Sequence, residues 1–272
     1  MFEINSQGKK LVLDIPVVMG ILNVTPDSFY DGARYNSISK SLDRVEQMIE
    51  EGASIIDIGG MSSRPGADFI SVEEEKKRVI PILKEIRNTF PEVFISVDTF
   101  RAEIADMSLA EGADIINDIS AGELDEGILT VVAKYKSPYI FMHMKGIPKN
   151  MQNDPRYNNV VADVLKYLLQ KLRKFKSLGI EQLIADPGFG FGKTIEDNFN
   201  LLKNLDVFKI LGIPVLAGVS RKSMLYKTLG ITPESSLNAT TVANTIALMN
   251  GANILRVHDV KEAVEAIKLM NN

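Results

Sequence analysis

The chain has no cysteine. That excludes disulfides, thiolate metal sites and cysteine nucleophiles. Histidine is scarce as well, limited to His143 and His258. No long block of lysine and arginine occurs and the net charge is −4, so nothing reads as a nucleic-acid surface. No run approaches the ~20 apolar residues of a membrane span. The opening MFEINSQGKK lacks the basic start and apolar core of a secretory signal. These absences lead us to expect a soluble cytoplasmic protein with no nucleic-acid or membrane partner. Its 272 residues suit one parallel α/β barrel, which needs roughly 250.

What is present is a repeated unit. GASIID (52–57), GADIIN (112–117) and GANILR (251–256) share one form: a glycine closing a helix, a short apolar strand, and a polar residue at its end. Gly179 and Gly212 begin looser copies. Strands that are apolar throughout, rather than alternating, fit a parallel sheet buried on both faces. Completing the pattern predicts eight strands near 17–22, 54–58, 94–98, 114–117, 138–142, 182–185, 214–217 and 253–257. Helices lie between them. The clearest spans 160–178, with Val164, Leu165, Leu168, Leu169, Leu172, Phe175 and Leu178 on one face at helical spacing. Residues 2–14 read as a hairpin around Gly8, within a 1–16 extension of a single domain over 1–272. The expected fold is a (β/α)8 TIM barrel, with a doubly wound open sheet as the alternative.

In such barrels the chemistry sits at the C-terminal strand ends. Those ends carry Asn23, Asp57, Asp98, Asn117, His143, Asp186, Ser220 to Lys222, Arg256 and His258. The stretch DPGFGFGK (186–193) stands out. Its glycines permit close backbone approach to a ligand. A carboxylate beside Phe189 and Phe191 suits a flat heterocycle with N–H donors; a tight turn with Phe191 as a core plug is the competing reading. Two long loops, 23–37 with Phe29 and 59–71 with Arg64, are of a length often associated with function.

Seven segments, MGILNVTPDSFYDG (19–32), GGMSSRPG (59–66), SVDTF (96–100), INDISAG (116–122), DPGFGFGK (186–193), SRKSML (220–225) and RVHDV (256–260), occur in order from about residue 17 to the C-terminus. Together they resemble the motif set of the bacterial dihydropteroate synthases, a folate-pathway family. Two departures are Met61, where the commonest form of the second loop has glutamate, and Ser63, where it has threonine.

The resemblance implies a transferase that joins 6-hydroxymethyl-7,8-dihydropterin pyrophosphate to p-aminobenzoate, giving 7,8-dihydropteroate and pyrophosphate. It implies a pterin site of Asp98, Asn117, Met142, Asp186 and Lys222. It also implies a pyrophosphate site of Asn23, Arg64, Arg256 and His258, with Asn23 a ligand of Mg²⁺. A p-aminobenzoate site would comprise Phe29, Ser63, Pro65, Phe191 and Ser223. Asp31, Lys222, Arg256 and His258 would be catalytic, Asp31 by stabilising positive charge after pyrophosphate departs. Sulfonamides would compete with p-aminobenzoate. A homodimer would form through late helices, although buried core explains the alanine-rich 238–252 stretch equally well. Three alternatives stand beside this reading. They are a pterin-dependent methyltransferase, a Schiff-base aldolase using Lys222, and a barrel that binds pterin without turnover.

Overall fold

The structure is a computed structural model that describes residues 2–24, 34–61, 69–146, 151 and 155–271, without the side chains of 34–37. Strands β1 (Phe2–Ser6) and β2 (Lys9–Leu13) form an antiparallel hairpin about Gly8. Strand–helix units follow in order: β3 (Val17–Asn23) and α1 (Arg34–Glu50), β4 (Ile55–Gly59) and α2 (Val72–Thr89), β5 (Phe94–Asp98) and α3 (Ala102–Ala110), β6 (Ile115–Asp118) and α4 (Gly127–Tyr135). The second half comprises β7 (Tyr139–Met142) and α5 (Val160–Ser177), β8 (Leu183–Asp186) and α6 (Ile195–Lys203), β9 (Leu216–Ala217) with α7 (Ser223–Leu229) and α8 (Leu237–Met249), then β10 (Ile254–Val257) and α9 (Val260–Met270). All eight expected strands are present.

Every neighbouring pair from β8 back through β7, β6, β5, β4, β3 and β10 to β9 is parallel. A single bridge, Ala185 to Val215, then brings β9 against β8. The amide of Ala185 donates to Pro214 O there at 2.9 Å. This seam nearly closes the barrel and removes the open-sheet alternative.

Side chains alternate across each strand, and this sorts the interior. Met19, Ile55, Phe94, Ile115, Ile140, Ile184, Leu216 and Ile254 meet inside the barrel. The intervening positions, such as Val18, Ile56, Ile95, Ile116, Phe141, Ala185 and Leu255, pack beneath the helices. Two residues further along the inward rows come Asp57, Ser96, Asn117, Met142, Asp186 and Arg256, with Asp98 beyond Ser96. Thus the same alternation that fills the lower barrel with hydrocarbon sets polar groups at its mouth.

The hairpin closes the opposite end. Ile4 and Leu13 join the interior cluster directly, with Phe2 and Leu11 packed against it. Lys9 Nζ reaches the buried Asp114 carboxylate at 2.7 Å, which Arg87 also holds at 2.6 Å. Gln182 exchanges two hydrogen bonds with the backbone of Asn5, at 2.7 and 2.8 Å.

Helix α5 buries Val164, Leu168, Leu172 and Phe175 as its spacing predicts, but Leu178 falls after the last helical residue and is exposed. Among the described residues no helix is long and apolar enough to cross a membrane. Leu13→Ala should destabilise the protein by about 2–5 kcal/mol, through lost burial plus a cavity. Urea unfolding of the variant reports this; an unchanged midpoint would show that the hairpin does not support the barrel floor.

Candidate active site

Arg256 is the centre of the mouth. From β10 it reaches across the barrel, with Nε donating to Asp57 Oδ2 at 2.6 Å and one Nη donating to Asp98 Oδ2 at 2.8 Å. Asn117 Nδ2 donates to the same Asp57 oxygen at 3.1 Å. Asp57 is therefore the support that orients Arg256 and Asn117; its strand-end position was legible, its role was not. The two carboxylates hold the guanidinium firmly protonated, against the effect of burial. Asp98 keeps 12% of its side-chain surface exposed. Burial pushes its carboxyl up to about 7, with Arg256 opposing and Asp57 reinforcing the rise.

Asp186 closes β8, and its Oδ1 accepts the Gly188 amide at 2.7 Å. Burial raises its pKa, while the Lys222 charge opposes the shift. The following loop turns through Gly188, Gly190 and Gly192, all at positive φ (73°, 82° and 62°). A Cβ on Gly188 would collide with the His143 carbonyl, and one on Gly192 with the Lys145 carbonyl. Glycine is required there by close backbone packing as well as by φ. Phe191 remains buried beside Met61, Phe100, Ile119, Met142 and Met151. Phe189 faces the other way, into the outer core, so only one of the two expected aromatic faces serves the mouth.

The SRKS segment divides its labour. Ser220 lies 3.0 Å from His258 Nδ1 through its hydroxyl, which also accepts the His258 amide at 3.2 Å. Arg221 sits at φ 53° and points away, paired with Asp259 at 2.7 Å and bonded to the carbonyls of Pro233 and Glu234. Lys222 turns toward the glycine loop, bonds the Phe189 carbonyl, and lies 4.6 Å from the Phe191 ring centroid. Burial lowers it to about 8, with Asp186 opposing the shift. Ser223 is the first residue of α7 and is half-buried.

The structure thus brings together Asp98, Asn117, Met142, Asp186, Phe191, Lys222 and Arg256 around one mouth, with His258 one strand position above Val257. His143 does not belong to this set. Its ring packs against Tyr157 and Tyr167, outside the mouth, with centroids 6.0 and 4.9 Å away. Asn23 ends β3 in an exposed position. Phe29, Asp31, Ser63, Arg64 and Pro65 lie outside the described residues. Met61 shows how its departure is accommodated: the thioether joins an apolar cluster with Phe100, Met142 and Phe191, where a glutamate would need a polar partner.

The arrangement offers acceptors (Asp98, Asn117, Asp186) and donors (Lys222, Arg256) around an apolar wall. It suits a flat, edge-polar heterocycle. Comparison with known proteins agrees. A family profile described as pterin binding enzyme matches residues 19–258. The dihydropteroate synthase of Escherichia coli (strain K12) is 46% identical over 267 residues, 97% of this chain and 94% of that protein. The Yersinia pestis dihydropteroate synthase, solved with a sulfonamide drug complex, has a TM-score of 0.93 and 41% identity, covering 99% of this chain and 98% of that one. The Xanthomonas albilineans dihydropteroate synthase with 4-aminobenzoic acid has a TM-score of 0.92 and 40% identity, covering 99% and 97%.

The raised Asp98 pKa carries a defined sign. Its ordinary value is 3.8 and its folded value about 7. Between these the folded protein retains a proton that the unfolded chain has lost, so this group removes stability as pH rises through that window. The thermal midpoint of Asp98→Asn minus that of the parent should therefore rise from about pH 4 to pH 7 and level off above, on top of a constant offset from the altered Arg256 contact. A difference independent of pH would remove the assignment.

Proposed function

The chain belongs to the pterin binding enzyme family, among the dihydropteroate synthases, and on that premise we propose how its residues join a dihydropterin to p-aminobenzoate. The activity is condensation of 6-hydroxymethyl-7,8-dihydropterin pyrophosphate with p-aminobenzoate, giving 7,8-dihydropteroate and pyrophosphate. The observation that carries the assignment of roles is the opposed placement of Asp186 and Lys222 beside Phe191.

The pterin edge presents an amino group and ring N–H donors. Asp186 accepts them, its carboxylate already oriented by the Gly188 amide on Oδ1. Asp98 and Asn117 meet other ring atoms. Lys222, still largely protonated at neutral pH with a pKa of about 8, donates to the ring carbonyl and N5. Met142 and Phe191 cover the ring faces.

The bond that breaks joins the exocyclic methylene carbon to a pyrophosphate oxygen; the bond that forms joins that carbon to the aryl nitrogen, which then releases a proton. An aryl amine is already neutral near pH 7 and requires no strong base. Ionisation comes first in this scheme. Arg256, with Nε and one Nη held by Asp57 and Asp98, and His258 stabilise the departing anion. The resemblance assigns Arg64 to the same anion and Asp31 to the pterin cation. Phe29 would exclude water, and Ser63, Pro65, Phe191 and Ser223 would hold the aryl carboxylate and ring. Sulfonamides would occupy that same place.

Mg²⁺ fits the mouth in one form. Among the described residues no group of three acidic or histidine side chains is poised to hold a metal. Asn23 Oδ1 and the Asp98 carboxylate, however, flank the bare Cα of Gly59: a Cβ there would lie 3.6 and 3.9 Å from their oxygens. Asn23 would contribute its carbonyl oxygen to an ion held mainly by the substrate's phosphate oxygens. When bound, the ion supplies charge neutralisation of the leaving pyrophosphate.

We place the reaction in the cytoplasm and in a homodimer. Exposed Val242 and Met249 on α8 (53% and 66%) support a contact there. Sedimentation should find a dimer that Val242→Glu weakens; a monomer at all concentrations would reject it.

Pyrophosphate release with dihydropterin pyrophosphate and Mg²⁺, p-aminobenzoate present or omitted, tests the reaction. Aryl-dependent release with dihydropteroate as product is expected. Asp186→Asn and Lys222→Ala should each lower kcat/KM on the order of 10²–10³-fold, as lost charge-assisted contacts do. Pterin binding without any release would instead favour a silent binding barrel.

A further inference from the structure

Lys193 ends the glycine loop and has no place in the scheme above. It is 2% exposed. Its side chain folds back beneath the loop it terminates. Nζ donates to Gly188 O at 2.7 Å, Phe191 O at 3.1 Å and His143 O at 3.2 Å, and lies 2.9 Å from His143 Nδ1. Among the described residues no carboxylate is within ion-pair distance. An ammonium has three donors and no acceptor, so while Lys193 is charged, Nδ1 of His143 accepts and the imidazole proton sits on Nε2. Burial, and then the Lys193 charge, drives His143 down to about 2, which keeps this ring neutral.

The four acceptors are not scattered. Gly188 O and Phe191 O bracket the loop; His143 O belongs to the neighbouring strand end, against which Gly188 packs too closely for any side chain. The Phe189 carbonyl, between the two loop acceptors, bonds Lys222 on the other flank. Two lysines therefore hold successive carbonyls of one short loop. Lys222 does so from the mouth, Lys193 from beneath. Gly188 also carries the amide that binds Asp186 Oδ1, and Phe191 is the ring under Lys222. The loop's geometry is thus the geometry of the pterin floor.

We propose that Lys193 is a positioning residue for catalysis: its ammonium gathers the carbonyls of His143, Gly188 and Phe191 and so fixes the Asp186 carboxylate and the Phe191 ring against the pterin. It touches neither substrate. The inference rests on the pterin site described above. It also accounts for a buried lysine lacking a counter-ion at contact distance, because backbone carbonyls solvate the charge. Burial lowers Lys193 to about 7, opposed by Asp186 and Asp197 and reinforced by Lys222; Tyr157 packs alongside, donating to Gly192 O at 2.7 Å.

The test compares Lys193→Met and Lys193→Arg with the parent. A pterin analogue is titrated calorimetrically without p-aminobenzoate, and kcat and both KM values are measured alongside thermal unfolding. Lys193→Met should remain folded at the assay temperature yet bind the analogue at least about tenfold more weakly, a loss typical of charged hydrogen bonds. KM should rise most for dihydropterin pyrophosphate, and less for p-aminobenzoate, which meets Phe191 but not Asp186. Lys193→Arg, which retains the charge and donors, should recover most of the affinity. A folded Lys193→Met with parental pterin affinity overturns the proposal, as does an equal rise in both KM values. If Lys193→Met does not fold, Lys193→Gln takes its place: neutral and weak in pterin binding supports the role, parental binding overturns it. Failure of the parent to make dihydropteroate would count against the reaction, whereas the calorimetric comparison judges Lys193 by itself.

Discussion

A guanidinium held by two carboxylates inside a parallel barrel is the constraint on which the mouth depends. Arg256 links β10 to β4 and β5 through Asp57 and Asp98. Those charges would be costly in the interior without one another. Their pairing permits ionised groups directly above a layer of isoleucine, methionine and phenylalanine. It also settles geometry: Asn117 shares the Asp57 oxygen, so three inward positions on three strands are aligned by one acceptor. The lower barrel contributes stability through burial, and the upper barrel holds preorganised polarity that burial alone would oppose.

Much of this was legible because parallel strands leave a simple trace. GASIID, GADIIN and GANILR announce a helix end, a buried strand and a polar tip, and the glycines at 52, 112 and 251 do sit at positive φ. Inward and outward facing follows from counting in twos. What could not be read was the direction of side chains beyond the strand ends. Ser220, Arg221 and Lys222 are consecutive, yet one bonds a histidine, one turns outward to Asp259, and one enters the mouth. Their separation comes from the left-handed turn at Arg221, and nothing in its type announces that. His143 is a different case: it follows a strand end but is the next residue after an inward Met142, so its ring faces Tyr167. Parity would have indicated this. Asp118 shows the same rule: adjacent to the inward Asn117, it faces outward and receives the Tyr139 hydroxyl at 2.7 Å.

Motif resemblance and physical reading contribute differently. The resemblance names a reaction and its substrates; the fold shows which of the implied groups share one mouth and what restrains them. Met61 illustrates the difference. As a motif letter it is a departure, whereas in the fold it completes an apolar patch with Phe100, Met142 and Phe191. The thioether fits there because its surroundings are hydrocarbon.

The seam between β8 and β9 has one backbone bridge, and Lys222, carried beyond β9, spans it to the Phe189 carbonyl beyond β8. A lysine in the mouth is consequently also a latch on the barrel wall. Replacing Lys222 would therefore cost the wall a cross-tie as well as the mouth a charge, because no second backbone bridge stands behind it among the described residues.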